Sequence, residues 1–485
     1  MKYLIGIDLG TSAVKAARFD TDGNILDAGA AEYPLYQPQN GYAEQNPDDW
    51  WNAVKPLLDG IIDKAGVQNI AGIGLSGQMH GLVTLDESGK VIRPAILWCD
   101  QRTGAQCEQI TQRIGAERLI ELTANPALPG FTASKILWLR QHEPENYAKC
   151  RHILLPKDYI RYKLTGVFAS DVSDASGMQL LDVKERIWSE EVLEKLGIDR
   201  ALLPELYESC EITGYYRGIP VAAGGGDNAC AAVGCGVVSE RTAFTTIGTS
   251  GVVYAHTDRP VIDKKGRIHT FCCAVPGAWH VMGVTQAAGL SLKWFKSLFA
   301  AELSYAELDR LCEEIPIGAE KLVYLPYLMG ERTPILDDSA RGVFFGLSAM
   351  HTRAHMARAV MEGVSYSLKD CLDVLNEVGV NFEKMAVCGG GAKGAFWRGM
   401  IADVFGMPVT LMHSEESAVL GAAILAGTAS GVFADVREGC GRMTKTAGIQ
   451  PCNLENHAKY EKVYRVYRAL YPALRKNFRE LAVLS

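Results

Sequence analysis

Apolar positions along this chain fall into two regimes, short strand-like runs and longer helical stripes. Three runs follow in quick succession at the start: up to Leu9, Ala13–Phe19, and from Ile25. Turn signals at Gly10-Thr11-Ser12 and Asp22-Gly23 separate them, which predicts an antiparallel meander. A helix is predicted to open at Asn46-Pro47-Asp48-Asp49, with a capping residue, Pro at the first position and acids in the first turn. Residues 70–75 read as a further strand that empties into Ser76-Gly77-Gln78-Met79-His80-Gly81. Residues 83–85 and 92–98, on either side of Glu87-Ser88-Gly89, read as a hairpin. Near the end, Tyr460, Tyr464, Tyr467, Tyr471, Leu474, Phe478 and Leu481 recur at alternating spacings of four and three, the stripe of a helix packing face. The uncharged stretch 417–434 is interrupted by Gly427 and Gly431, and reads as a buried helix and turn rather than a membrane span.

The meander contains a phosphate-loop signal that the chain carries twice. Gly6-Ile7-Asp8-Leu9-Gly10-Thr11-Ser12 and Thr246-Ile247-Gly248-Thr249-Ser250-Gly251 each run from an apolar strand through Gly-Thr-Ser into a second strand. Glycine permits close backbone approach, and the N–H groups and hydroxyls of such a turn suit phosphate oxygens. Aligned on Gly-Thr-Ser, Thr246 falls opposite Asp8, so the first copy alone has a carboxylate. Beside a phosphate that carboxylate requires a cation between them, which points to Mg²⁺ held by Asp8. Duplication predicts two related halves around one nucleotide, with the boundary at Ser239-Glu240-Arg241. We therefore expect domains over 1–238 and 239–485, in an α/β fold with mixed sheets flanked by helices.

Size and charge narrow the function classes. A chain of 485 residues exceeds one core. A formal charge of −7 disfavours nucleic acid and anionic membrane as partners. Thirteen scattered cysteines lack metal-ligand spacing and read as reduced, packed thiols. The apolar N-terminal run is too short for a signal peptide, and a soluble cytoplasmic protein is expected.

Between Arg217 and Glu240 the only charged residue is Asp227, in Gly224-Gly225-Gly226-Asp227-Asn228. A carboxylate so isolated resists ionisation, which suits a general base. The competing role is an N-cap for the helix that follows. Gln78-Met79-His80, in a tight loop between two glycines, combine polar groups with an apolar surface, as a polyol site needs. Trp98, after a strand, offers a flat apolar face. Gly389-Gly390-Gly391-Ala392-Lys393 is a third glycine turn before a helix, suited to phosphate or ribose. It lacks the Gly-Lys-Ser/Thr of a Walker loop.

Together these motifs resemble the FGGY family of carbohydrate kinases, over almost the whole chain. Gly342-Val-Phe-Phe-Gly346-Leu347 followed by His355-Met356 and Ala359-Val360-Met361-Glu362 fits the family's C-terminal signature. Gly-Gln-Met-His-Gly at 77–81, Leu-Leu-Pro-Lys-Asp at 154–158, Gly-Gly-Gly-Asp-Asn at 224–228 and Leu-Pro-Tyr-x-x-Gly-Glu-Arg-Thr-Pro at 325–334 are similar to the branch acting on D-xylulose. Glycerol-specific members carry Arg-Glu where Met79-His80 stand.

The resemblance implies two actin-like, RNase-H-like domains with a cleft between them, and transfer of phosphate from Mg-ATP to the sugar. It implies Asp227 as base, and Gln78, Met79, His80, Trp98, Asp227 and Asn228 as sugar contacts. Asp8 would order Mg²⁺ through water. Thr11, Ser12, Gly248, Thr249, Gly390, Gly391 and Lys393 would hold the nucleotide. Closure of the domains over the sugar is expected, and a homodimer is left open. The alternatives are a kinase for ribulose, glycerol or gluconate, or an actin- or Hsp70-like ATPase.

Overall fold

The computed structural model describes residues 2–414 and 416–484. The meander forms as predicted: β1 (Tyr3–Leu9), β2 (Ala13–Phe19) and β3 (Ile25–Glu32) pair antiparallel in turn. Helix α1 (Pro47–Ala65) is capped by Asn46, whose side chain accepts from the Asp48 N–H at 3.1 Å. Strand β4 (Ile70–Gly77) then lies parallel to β1. Strands β5 (Ile212–Tyr216) and β6 (Ile219–Ala222) complete the sheet in the order β5-β6-β4-β1-β2-β3, and Gly225–Gly226 also pairs with β4. Helix α2 (Asp227–Gly234) follows directly.

The same plan recurs in the second sheet. Its strands are β7 (Thr242–Ile247), β8 (Gly251–Thr257), β9 (His269–Cys272) and β10 (Trp279–Thr285). Helices α3 (Gly289–Phe299) and α4 (Arg353–Glu377) lead to β11 (Lys384–Cys388). Helix α5 (Ala395–Phe405) and strand β12 (Val409–Met412) come next. Helix α6 (Ser417–Ala429), strand β13 (Thr446–Gln450) and helix α7 (Leu454–Ala482) end the fold. The order is β9-β10-β8-β7-β11-β12-β13. Strand β7 pairs antiparallel with β8 and parallel with β11, as β1 does with β2 and β4. The repeated Gly-Thr-Ser turns are thus the same hairpin in two copies of one sheet plan.

One helix crosses between the copies. Although α6 follows the second sheet's β12 in sequence, it packs on β1, β4 and α2. Glycines make this contact: a Cβ on Gly6 or Gly74 would stand 1.9 Å from the carbonyl oxygen of Val419 or Ala422. On α2 and α6 themselves, Gly234 and Gly421 face the backbones of Ser417 and Cys230 equally closely. Burial of α6 matches the reading of its uncharged sequence, and no helix among the described residues is long and apolar enough to cross a membrane. Gly74→Ala is expected to cost about 1–3 kcal/mol, because a backbone carbonyl cannot rotate away as a side chain can. A lowered urea midpoint for Gly74→Ala, beside an unchanged or raised one for Gly60→Ala, would show it. Nothing lies within 4 Å of a Cβ on Gly60, in the open interior of α1.

Two expectations need correction. Residues 83–85 and 92–98 do not form a ladder together: Val83–Leu85 pairs with His152–Leu154, and Ala95–Ile96 with Glu44–Gln45. The hairpin is reduced to isolated bridges, Leu82 to Ile96 and Leu85 to Val91, with the Ile92 N–H donating to the Thr84 carbonyl and the Asp86 N–H to the Lys90 carbonyl, each at 3.0 Å. The α7 stripe packs as predicted through Tyr460, Tyr464, Tyr467 and Phe478, with Tyr471 and Leu474 partly buried against the same core; Leu470, outside the stripe, is buried too, and Leu481 is exposed.

Candidate active site

Strand register brings the two carboxylates to one edge. Asp8 on β1 stands opposite Ser76 on β4, and Ser76 opposite Gly225. Asp227 follows two residues later, so Asp8 and Asp227 share the C-terminal end of parallel strands that flank β4, where open α/β sheets bind ligands. Ser76 Oγ donates to Asp8 Oδ1 at 2.7 Å. Burial pushes the Asp8 pKa up against that hydrogen bond, with the Glu416 charge adding to the rise and Lys15 opposing it. Lys15 and Glu416 are themselves paired at 2.7 Å.

Asp227 is the first residue of α2 rather than its cap, which is Gly226. Its Oδ1 accepts from the Asn228 N–H at 2.7 Å and from Asn228 Nδ2 at 3.0 Å. Burial, reinforced by the Asp8 charge, raises its pKa to about 7, against the pull of those two bonds. Met79 packs against the Gly226 backbone, where a Cβ would come within 2.8 Å of Met79 Cγ. The 77–81 loop therefore closes onto the residue preceding Asp227.

His80 holds a left-handed backbone, φ 68°, uncommon for a residue other than glycine. Three bonds hold it there. Its carbonyl accepts from Thr132 Oγ1 and from Lys135 Nζ, each at 3.0 Å, and its Nδ1 lies 3.0 Å from the Gly177 carbonyl. Phe131 packs edge-on against the ring. Burial and the Lys135 charge hold the imidazole pKa well below its usual range, so the ring is neutral. With Nδ1–H donated to Gly177, Nε2 is left as an acceptor for a hydroxyl.

Gln78 turns inward. It is 1% exposed, its Nε2 donates to Gln45 Oε1 at 2.9 Å, and its Oε1 accepts from Thr11 Oγ1 at 3.4 Å. These bonds brace the loop. Trp98 is 39% exposed and donates its indole N–H to Thr11 Oγ1 at 3.0 Å. Thr11 is thus tied to the loops that carry Gln78 and Trp98, while Ser12 beside it stays exposed.

On the opposite side, Gly248 and Thr249 are bonded to the start of α3, their carbonyls accepting from Gly289 N at 2.7 Å and Ala288 N at 3.0 Å. The 389–391 turn packs on Ile247, so closely that a Cβ on Gly391 would meet Ile247 Cγ2 at 2.4 Å. Gly248, Thr249, Gly390 and Gly391 therefore converge, and Lys393 stands exposed at the end of that turn.

Four residues of this region escaped the sequence reading. Lys135 lies fully buried beneath His80, its pKa lowered to about 7 by burial. Its signal was a lone cation beside the apolar run Ile136-Leu137-Trp138-Leu139. Arg332 and Glu331 sat inside a quoted motif without a role. Lys157 likewise stood inside Leu-Leu-Pro-Lys-Asp.

A duplicated actin-like sheet plan, with carboxylates on one side and glycine turns on the other, defines a two-lobed phosphotransferase. The chain belongs to the FGGY family of carbohydrate kinases, whose N-terminal domain matches residues 3–234 and C-terminal domain residues 243–430. It is an ATP-dependent carbohydrate kinase. It is 41% identical to a xylulose kinase of Lactococcus lactis, over 99% of this chain and 98% of the other. A xylulose kinase of Bacillus subtilis is 40% identical, over 97% of each. Among solved structures, a xylulose kinase of Brucella ovis superposes with a TM-score of 0.92 at 35% identity, covering 98% of this chain and 99% of its own. A gluconate kinase of Lactobacillus acidophilus does so with 0.94 at 28% identity, covering 99% of each.

Proposed function

We propose that this enzyme phosphorylates D-xylulose: ATP + D-xylulose → ADP + D-xylulose 5-phosphate. The observation that carries the reaction is Asp227, a carboxylate with a pKa of about 7 beside Asp8 and under the 77–81 loop. Asp227 accepts the proton of the terminal hydroxyl as its oxygen bonds to the γ-phosphorus. The bond from that phosphorus to the bridging oxygen breaks, and ADP leaves with the bridging oxygen. Such transfers depend on alignment and charge neutralisation more than on covalent help.

Neutral His80 accepts a sugar hydroxyl at Nε2, Met79 supplies the apolar wall, and Asn228 orients Asp227. In the second lobe, Gly248, Thr249, Gly390, Gly391 and Lys393 hold the nucleotide, with Thr11 and Ser12 facing its phosphates. We assign sugar binding to 1–238 and nucleotide binding to 239–485, in a cleft that closes before transfer to exclude water. The donor set of Asp8 fits Mg²⁺: one oxygen is bonded to Ser76, while the other has no hydrogen bond among the described residues and suits a hydrated hard cation. When bound there, the cation neutralises charge on the phosphates.

Xylulose is preferred over other acceptors on the two full-length bacterial relatives near 40% identity, which outweigh the gluconate kinase at 28%. ADP release with Mg-ATP against D-xylulose, D-ribulose, L-ribulose, glycerol and gluconate tests this. A kcat/KM at least tenfold higher for D-xylulose is expected. A preference for another acceptor overturns the substrate, and ADP release indifferent to every acceptor overturns the reaction.

A further inference from the structure

We propose that Arg332, from the second lobe, binds the end of the acceptor sugar remote from the reacting hydroxyl and so sets acceptor affinity. The proposal rests on the sugar-kinase reading above and adds a contact across the cleft.

The backbone carrying Arg332 is held on both sides. The Glu331 carboxylate accepts from Thr285 Oγ1 at 2.6 Å and from the N–H groups of Gln286 and Arg332 at 2.9 and 2.7 Å. Thr333 N donates to the Val284 carbonyl at 3.0 Å, and Thr333 Oγ1 donates to the Arg267 carbonyl at 2.6 Å. These bonds fasten the segment to the end of β10. The guanidinium they present has no hydrogen bond and no ion pair among the described residues. Every other charged group of Glu331-Arg332 is used locally.

The guanidinium points toward the sugar side of the cleft. Its Nη2 lies 4.0 Å from where a Cβ on Gly130 would stand, and that same Cβ would come within 3.1 Å of the Trp98 carbonyl. The Gly130 carbonyl accepts from Lys135 Nζ, the ammonium that also bonds the His80 carbonyl. Arg332 is thus placed against Gly130, beside the Lys135–His80 pair, with the Trp98 carbonyl also close to Gly130. Its charge also lowers the pKa of both His80 and His269, and burial lowers its own. Glu331 and Asp338 attract it only through space.

A half-buried cation with five donors and no acceptor is costly unless a ligand completes it. Sugar hydroxyl and carbonyl oxygens are such acceptors, and the planar fork of arginine can engage two of them at once. The order along the cleft indicates which. Met79 packs beside Asp227, His80 follows it in the loop, and Arg332 comes after His80. With the reacting hydroxyl at Asp227, Arg332 meets the opposite end, where a 2-ketose carries O1 and its carbonyl oxygen.

Sugar binding without nucleotide, by titration calorimetry, and steady-state kinetics are compared for the full chain and for Arg332→Met and Arg332→Lys. Loss of a charged hydrogen bond predicts a rise of about 10- to 100-fold in both Kd and KM for D-xylulose in Arg332→Met. A smaller rise is expected in Arg332→Lys, with KM for ATP within twofold in both. Because 1-deoxy-D-xylulose lacks O1, the penalty of Arg332→Met is expected to be smaller with that analogue. A sugar Kd within twofold of the parent in both variants overturns the proposal. So does a loss confined to kcat, which would put Arg332 on the phosphoryl group. If the parent enzyme prefers gluconate or another acceptor, the substrate reading fails on its own, and Arg332 is judged by the same ratios on that acceptor.

Discussion

Asp227→Ala is expected to lower kcat by about 10²–10⁴-fold with little change in sugar Kd, the loss usual when a positioned general base is removed. In the parent enzyme kcat/KM should fall tenfold per pH unit below about 7, as the Asp227 carboxylate takes up its proton. Asp227→Asn separates the base from the fold. The native carboxyl titrates near 7 and an unfolded one near 3.8, so between these values the native state holds a proton that the unfolded chain has released. Native stability therefore falls as pH rises through that window, and above it the charged, buried carboxylate is a net cost. The asparagine removes this cost. Its thermal midpoint should exceed the parent's at pH 8, with the gap closing by pH 4, while turnover is lost at both. Near-normal kcat in the alanine variant would remove Asp227 from the mechanism. A midpoint at pH 8 no higher than the parent's would place its pKa elsewhere.

Lys157→Met is expected to cost about 3–5 kcal/mol of stability, the penalty for stripping one partner from a buried ionic cluster. Lys157 is fully buried, with Nζ 2.6 Å from Asp158, 2.8 Å from Asp171 and 3.6 Å from Asp174. Arg161, buried alongside, reaches Asp158 at 2.8 Å. The three carboxylates surround a point that a metal ion could occupy, and the Lys157 ammonium already reaches all three. Neither oxygen of Asp174 has a hydrogen-bond partner, and burial holds its pKa well above the usual carboxylate range. With Asp174 protonated, two cations face two anions and the cluster is neutral.

The cluster also supports the strand end that leads into Asp227. Asp171 accepts from Ser173 Oγ at 2.5 Å, and Ser173 Oγ accepts from the N–H of Gly226, directly before Asp227, at 3.3 Å. Lys157→Met should therefore lose activity along with stability. Asp174→Asn, which removes no charge from a neutral carboxyl, should stay within about 1 kcal/mol of the parent in urea unfolding. A comparable loss in both variants would mean that Asp174 is ionised and paired.

Much of this site was legible in local sequence. Asp8 and Asp227 stood out because charge is rare in strand-like or glycine-rich apolar runs, and burial is what raises both their pKa values. The duplicated Gly-Thr-Ser turn announced the duplicated sheet, since each copy carries its own strand–turn–strand signal. The Asn46 cap and the tyrosine stripe of α7 were equally readable, because capping and helical periodicity depend on residues a few positions apart.

Other features depend on residues far apart in the chain and have no local signal. The strand at 83–85 chose His152–Leu154 over its sequence neighbour, because ladder pairing follows burial and register across the whole lobe. Gln78 faced inward once Gln45 and Thr11 had closed around it. Helix α6 could reach the first sheet only because Gly6, Gly72 and Gly74 present bare backbone there, a fit that exists only after the two surfaces meet. Lys135 and Arg332, from segments nearly two hundred residues apart, converge beside His80 for the same reason. Periodicity and capping fix each element from its own residues, whereas partners and side-chain directions are chosen by the packing of distant surfaces.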